Sequence, residues 1–201
     1  MIAIIDYDAG NLKSVEKALV HLGQEICVSR DPKVLLAADK VILPGVGSFG
    51  DAMGKLEQYG LVPVIHEIVE KKTPFLGICL GLQLMFDGSD ETPGVEGLHL
   101  LPGMIRKIPY AEGLKIPHMG WNSLESNPSS RLFAGISDGS FVYFVHSYYL
   151  QAEEPSIVAA KTEYGVEIHA AVECGNVFAC QFHPEKSSDI GLQILKNFAE
   201  M

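Results

Sequence analysis

The first half of the chain alternates short apolar runs with longer segments whose apolar residues recur at helical spacing. Ile2–Ile5, Glu25–Ser29, Val41–Leu43 and Phe75–Ile78 are short and rich in β-branched residues, the signature of buried strands. Between the first two, Leu12 to about Leu22 sets Val15, Ala18, Leu19 and Leu22 on one helical face. Asn11 is the expected N-cap of that helix, and Gly23 stands where a helix C-terminus often ends. Further helices are predicted over Asp51–Gln58 and Val62–Lys71, and another is expected to start just after Cys79. Strands alternating with helices imply a parallel sheet covered on both faces. Ligands of such sheets bind at the carboxyl ends of the strands. The Pro44–Gly50 loop and Cys79 follow the third and fourth strands and so fall at that end.

Beyond about Gly88 the pattern changes. Met104–Ile108, Phe141–His146, Ile157–Lys161, Ile168–Glu173 and Val177–Phe182 read as strands separated by turn residues, with no long helix between them. They are expected as antiparallel additions to the sheet. A last helix is predicted over about Asp189–Ala199, with Ile190, Ile194, Leu195 and Phe198 on its inner face. Without an internal repeat, low-complexity tract or linker, residues 1–201 are expected to form one domain.

Composition narrows the function classes. The chain has 201 residues, 47% hydrophobic and 20% charged, enough to bury a sizeable core. A formal charge of -10 and a pI near 5.1 argue against a binder of nucleic-acid phosphates. The apolar opening stops at strand length before Asp6 and Asp8, with no basic lead or cleavage site, so neither a membrane span nor a secretory segment is expected. Cys27, Cys79, Cys174 and Cys180 lack paired zinc-like spacing, and a disulfide framework is not expected. The cytoplasm is the expected compartment, and no metal site is visible.

Two motifs carry chemistry. In Gly77-Ile78-Cys79-Leu80-Gly81, flanking glycines relieve the crowding of a sharp strand-to-helix elbow that would expose a thiol. The N–H of Leu80 could then receive the oxyanion of a tetrahedral intermediate. In His183-Pro184-Glu185, proline favours an extended His183, so that the carboxylate can share its face and orient the imidazole. Together they propose a nucleophile, its base and the base's orienter. Taken singly, Cys79 reads better as a small buried cysteine closing a core strand, and His-Pro-Glu as a polar strand end; the two glycines and the topology bring the two readings of Cys79 level. Pro44-Gly45-Val46-Gly47-Ser48-Phe49-Gly50 lacks the Lys-Ser/Thr pair of a phosphate loop and is a candidate second oxyanion donor. Gln83, one turn past Cys79, could reach a polar group of a substrate, while His118 and His146 fit structural roles. A stand-alone thiol hydrolase or peptidase, and a regulatory subunit with an idle triad, remain open on these residues.

With the glycine-rich loop, these motifs resemble the class I (triad-type) glutamine amidotransferases. The likeness extends through Asp6-Tyr7-Asp8-Ala9-Gly10-Asn11-Leu12, His118-Met119-Gly120-Trp121-Asn122 and Tyr143-Phe144-Val145-His146-Ser147-Tyr148. It is greatest to the branch that serves histidine biosynthesis, whose ammonia passes to a separate (βα)8-barrel cyclase subunit. Other amidotransferase subunits, such as those of vitamin B6 or anthranilate synthesis, are the alternative within the family. The resemblance implies a flavodoxin-like α/β fold, a central mostly parallel sheet flanked by helices with added antiparallel strands. It also implies that Cys79 attacks the side-chain amide of glutamine, with His183 as base and then acid and Glu185 as its orienter. Gln83 and backbone near Gly47, Ser147 and Tyr148 would hold the amino-acid end, and Leu80 and Val46 would supply the oxyanion N–H groups, Val46 after a peptide flip. Trp121, Tyr143 and Lys186 would face the cyclase, and no metal or organic cofactor is implied. One departure is Asp8, where the family pattern usually has glycine.

Overall fold

Every residue of Ile2–Ile5, Phe75–Ile78 and Val177–Cys180 is buried, which requires a sheet covered on both faces. The computed structural model describes residues 1–8 and 10–201; Ala9, inside the Asp6–Leu12 motif, lies outside the described residues. The first half runs β1 (Ile2–Ile5), α1 (Leu12–His21), β2 (Ile26–Ser29), α2 (Pro32–Leu36), β3 (Lys40–Leu43), α3 (Phe49–Gln58), α4 (Leu61–Glu70), β4 (Phe75–Ile78) and α5 (Leu80–Leu84). The second half is rich in strands: β5 (Gly88–Ser89), β6 (Gly103–Lys107), β7 (His118–Ser123), β8 (Glu125–Ser126), β9 (Phe141–His146), β10 (Tyr148–Ala152), β11 (Val158–Glu163), β12 (Glu167–Cys174) and β13 (Val177–Cys180). Helix α6 (Ser188–Glu200) closes the chain.

The central sheet has the order β2-β1-β3-β4-β13-β12-β11-β8. Its first five strands are parallel neighbours, in the flavodoxin-like order expected for this fold class. Strands β12, β11 and β8 extend it antiparallel. Two expected additions lie elsewhere: β6 pairs with β10 and β5, and β9 pairs with β7. The partners that draw them away, β7 and β10, were not predicted. The sequence His118-Met119-Gly120-Trp121-Asn122-Ser123 has no apolar alternation to announce a strand.

Period-two alternation divides the core. Ala3, Ile5, Val41, Leu43, Phe75, Val177 and Ala179 join the α3 and α4 side chains on one face. Ile2, Ile4, Ile42, Leu76, Ile78, Phe178 and Cys180 join those of α1 and α6 on the other. Each buried large aliphatic or aromatic side chain stabilises by roughly 1.5–3 kcal/mol, so the sheet is a firm base for the loops at its ends.

Local signals explain the helix ends. Gly23, at φ 75, follows α1 and its N–H reaches Val20 O at 2.9 Å. Helix α3 begins earlier than expected because the Ser48 hydroxyl caps it at Asp51 N. The unpredicted α2 carries a cap at Asp31 and Pro32 in its first turn, but is too short to show periodicity. Among the described residues no helix is long and apolar enough to cross a membrane.

Candidate active site

Parallel registers Leu43↔Gly77 and Ile78↔Cys180 bring three strand ends level. Cys79, the Pro44–Ser48 loop and Gln181–Glu185 therefore leave the sheet together. Cys79 adopts φ 55, ψ -107, a conformation that costs a non-glycine residue strain and that the surroundings must enforce. Its N–H donates to Cys180 O at 2.8 Å, and its carbonyl accepts from Leu82 and Gln83 as α5 starts. Both elbow glycines are required by close approach. A Cβ on Gly81 would lie 1.8 Å from Leu43 O, and one on Gly77 2.7 Å from Met85 Sδ.

His183 is buried, with its N–H on Tyr143 O at 2.9 Å. Ser187 Oγ donates to His183 O at 2.6 Å and accepts from Tyr143 N at 2.9 Å, lacing the loop to β9. Proline opens a single 3₁₀ turn over Pro184–Lys186, and His183 Nδ1 meets Glu185 Oε1 at 2.8 Å. With Nδ1 thus occupied, Nε2 is the nitrogen left for the Cys79 thiol; it has no partner within hydrogen-bond geometry among the described residues. Burial works against the imidazolium, but Cys79 and Glu185 outweigh it and the His183 pKa is pushed up to about 9. The pair thus favours a protonated imidazole beside the sulfur.

Two participants escaped the sequence reading. Asn11, expected as a helix cap, makes no capping bond; its Nδ2 donates to Glu185 Oε1. Gln181 is fully buried, with Nε2 3.7 Å from Cys79 Sγ.

Leu80 N–H, an expected oxyanion donor, instead donates to Gly45 O at 3.3 Å. Gly45 is wedged between Tyr7 and the first turn of α5, since a Cβ there would lie 2.5 Å from Tyr7 Oη. Tyr7 OH donates to Pro44 O at 2.8 Å, and burial pushes this phenol up. Because the two ends of a peptide unit point oppositely, the Val46 N–H faces away from Leu80.

The cleft between these elements has a volume of about 380 Å³, suited to a small ligand. Val46, Gly47, Cys79, Leu80, Gln83, Ser147, Tyr148 and His183 all line it, joined by Glu91, Pro117, Val145 and His146. Gln83 Nε2 donates to Tyr148 O at 3.0 Å and Gln181 Oε1 at 3.1 Å. Beneath, His118 Nδ1 and His146 Nε2 lie 2.9 Å apart, and His146 Nδ1 is 2.8 Å from Tyr148 O. Burial lowers the two histidines to about 4 and about 3, so the pair is neutral and structural, as expected.

Trp121 and Tyr143 stand opposite each other on β7 and β9, in edge contact at 6.1 Å. Trp121 is 53% and Met119 61% exposed, and Lys186 is exposed on the turn that carries Glu185. Asp8, at φ 61, takes the left-handed conformation open to glycine, and its carboxylate bonds Arg30 and Tyr59. Among the described residues no cluster of His, Cys, Asp and Glu could hold a metal ion.

The family profile of class-I glutamine amidotransferases matches residues 3–201. The chain is 53% identical over 200 residues to a Moorella thermoacetica protein named imidazole glycerol phosphate synthase subunit HisH, covering 100% of this chain and 94% of that one. A Bacillus mycoides protein of the same name is 52% identical over 200 residues, covering 98% and 93%. The fold is similar to a crystal structure of a glutamine amidotransferase, with TM-score 0.78, 20% identity and full coverage of both chains. It is also similar to PurLQS from Thermotoga maritima, with TM-score 0.76, 21% identity and coverage of 99% and 97%.

Proposed function

The chain belongs to the class I glutamine amidotransferases, and from that premise we propose that it is the glutaminase subunit of an imidazole glycerol phosphate synthase. It releases ammonia from glutamine and delivers it to a (βα)8-barrel cyclase subunit in histidine biosynthesis, acting as one cytoplasmic domain over residues 1–201. The observation that carries the chemistry is the meeting of Cys79, on its strained elbow, with the buried His183–Glu185 pair in one cleft.

The Cys79 proton passes to His183 Nε2, and the thiolate attacks the side-chain carbonyl carbon of glutamine. The tetrahedral intermediate collapses as the imidazolium protonates the departing nitrogen, leaving ammonia and a glutamyl thioester. His183 then takes a proton from water, which opens the thioester to glutamate, and returns the proton to the sulfur. Glu185 holds the tautomer and stabilises the imidazolium. Gln83 and the backbone at Gly47, Ser147 and Tyr148 hold the amino-acid end of the substrate. Rotation of the Gly45–Val46 peptide frees Leu80 N–H and turns Val46 N–H inward, giving two donors to the oxyanion. Trp121, Tyr143 and Lys186, on the exposed face beside the triad, meet the cyclase.

Glutamate release should be measured from the purified chain alone, with the cyclase, and with the cyclase and its nucleotide ligand. Strong stimulation by the liganded partner is expected, and Cys79→Ala should abolish it while leaving synthesis from external ammonia intact. Equal turnover in all three conditions would refute partner gating. Loss of ammonia-driven synthesis in Cys79→Ala would refute the assignment of Cys79 to the glutaminase step.

A further inference from the structure

Besides His183, the Cys79 sulfur has a second polar neighbour. Gln181 leaves β13 alongside Cys79, because Cys180 pairs with Ile78. Its backbone is pinned by a 2.8 Å bond from its N–H to Ala170 O. Its side chain is fully buried, with Nε2 3.7 Å from Cys79 Sγ, within reach of an N–H···S hydrogen bond. The amide cannot be turned over. Gln83 Nε2 donates to the Tyr148 carbonyl at 3.0 Å, which identifies it as the amino end, and the same nitrogen donates to Gln181 Oε1 at 3.1 Å. Gln181 therefore presents its NH₂ to the sulfur.

We propose that Gln181 is a further catalytic residue of the glutaminase, donating a side-chain N–H to the Cys79 sulfur and holding it as the thiolate. This rests on Cys79 being the nucleophile. When the thiol proton passes to His183 Nε2, the negative charge left on sulfur is shared between the imidazolium and the Gln181 N–H. As the S–C bond to glutamine forms, that charge moves to the substrate oxygen and the Gln181 bond weakens. When water opens the thioester, the S–C electron pair returns to sulfur and the bond is restored. The donor thus serves both the entering and the leaving thiolate.

The test is Cys79 alkylation by iodoacetamide across a pH series, read by mass spectrometry of the Cys79 peptide in the complex with the cyclase. Hydrogen bonds to charged acceptors change a titration by about one to two units, so Gln181→Met and the shorter Gln181→Asn should both move the inflection upward by about one unit. In the unaltered protein, the Gln181 side-chain amide resonances should titrate with the alkylation inflection, and should stop doing so in Cys79→Ala. An unmoved inflection in a folded variant, or Gln181 resonances indifferent to Cys79, would overturn the role of Gln181 alone. Glutamine turnover surviving in Cys79→Ala would instead overturn the nucleophile, and this proposal with it.

Discussion

Removing the amide of Asn11 measures how far the triad depends on a residue remote from it in sequence. Glu185 has a fully buried side chain whose Oε1 accepts from both Asn11 Nδ2 and His183 Nδ1, while Oε2 has no partner among the described residues. Asn11→Gly is the suitable perturbation, because position 11 sits at φ 73, which glycine accepts without strain. Helix α1 loses no capping bond, since the Asn11 side chain makes none. A hydrogen bond to a charged group contributes about 1.5–3 kcal/mol, which predicts a fall of roughly 10- to 150-fold in glutamine turnover. Asn11 acts through Glu185 and His183 rather than on glutamine, so the loss should fall on kcat and leave KM nearly unchanged. The Asn11 N–H draws charge from the carboxylate oxygen that faces His183, and without it that oxygen stabilises the imidazolium more, so His183 keeps its proton to higher pH. The basic limb of the rate profile should accordingly move up from about 9. The assay is glutamate release with saturating cyclase and its ligand across pH, with ammonia-driven synthesis as the control. Turnover within about threefold of the unaltered protein, with an unmoved basic limb, would refute the reasoning, because a bond of the stated size could not be lost so quietly.

Stability should peak near pH 6.5 for the three buried histidines. The raised pKa of His183, about 9, gives stabilisation that is complete below 6.5 and lost as pH rises toward 9, while neutral His118 and His146 give stabilisation lost as pH falls from 6.5 toward about 4 and about 3. Two such groups titrating together remove at most about 2.7 kcal/mol per pH unit, and urea midpoints that climb steadily from acid to pH 9 would contradict this assignment. Gly81→Ala forces a Cβ to within 1.8 Å of Leu43 O, so α5 must lift from β3. The expected cost is several kcal/mol with loss of glutaminase activity, and an unchanged thermal midpoint would refute the close approach. Lys186→Ala should weaken assembly with the cyclase, or its stimulation of glutamine turnover, more than it weakens folding. Titration of the complex and a melting curve decide between them, and unchanged assembly and stimulation would remove Lys186 from the interface.

What the sequence disclosed divides by the range of the forces involved. Strands β1, β3, β4 and β13 were legible because burial on both faces leaves an unbroken apolar run. The elbow at Cys79 was legible because only glycine fits at 77 and 81, and that requirement is written in residue type. Asn11 was misread because asparagine before a helix serves equally as a cap or as a free amide. What decides is that the start of α1 lies against the Pro184–Lys186 turn, a contact 174 residues apart in sequence. Gln181 gave no pattern signal, since a single buried amide has no period and its partners, Cys79 and Gln83, come from another strand end and helix. Asp8 shows the reverse case. Its left-handed φ fits a position where the family pattern usually has glycine, but its bonds to Arg30 and Tyr59 depend on side chains brought up by β2 and α3.

The site's two halves differ in readiness, and the difference follows from what holds each. The proposed nucleophile and base are assembled by the sheet itself, through the level ends of β4 and β13 and the bonds from Cys79 N to Cys180 O and His183 N to Tyr143 O. In the proposed mechanism the oxyanion donors depend on the orientation of one peptide. While Gly45 O accepts from Leu80 N–H, one donor is occupied by a carbonyl and the other, Val46 N–H, points away. A single oxyanion donor is worth roughly a hundred- to a thousandfold in rate, so on the proposed mechanism this orientation alone would hold turnover down with the triad intact. The loop's root does not need to move, because Tyr7 OH anchors Pro44 O, and the positive φ of Gly47 leaves the chain pliable just beyond. On the proposed mechanism, a partner that turns one peptide would therefore switch the enzyme on without disturbing the thiol, the imidazole or the sheet. That is the arrangement an ammonia source needs if glutamine is to be spent only when an acceptor is waiting.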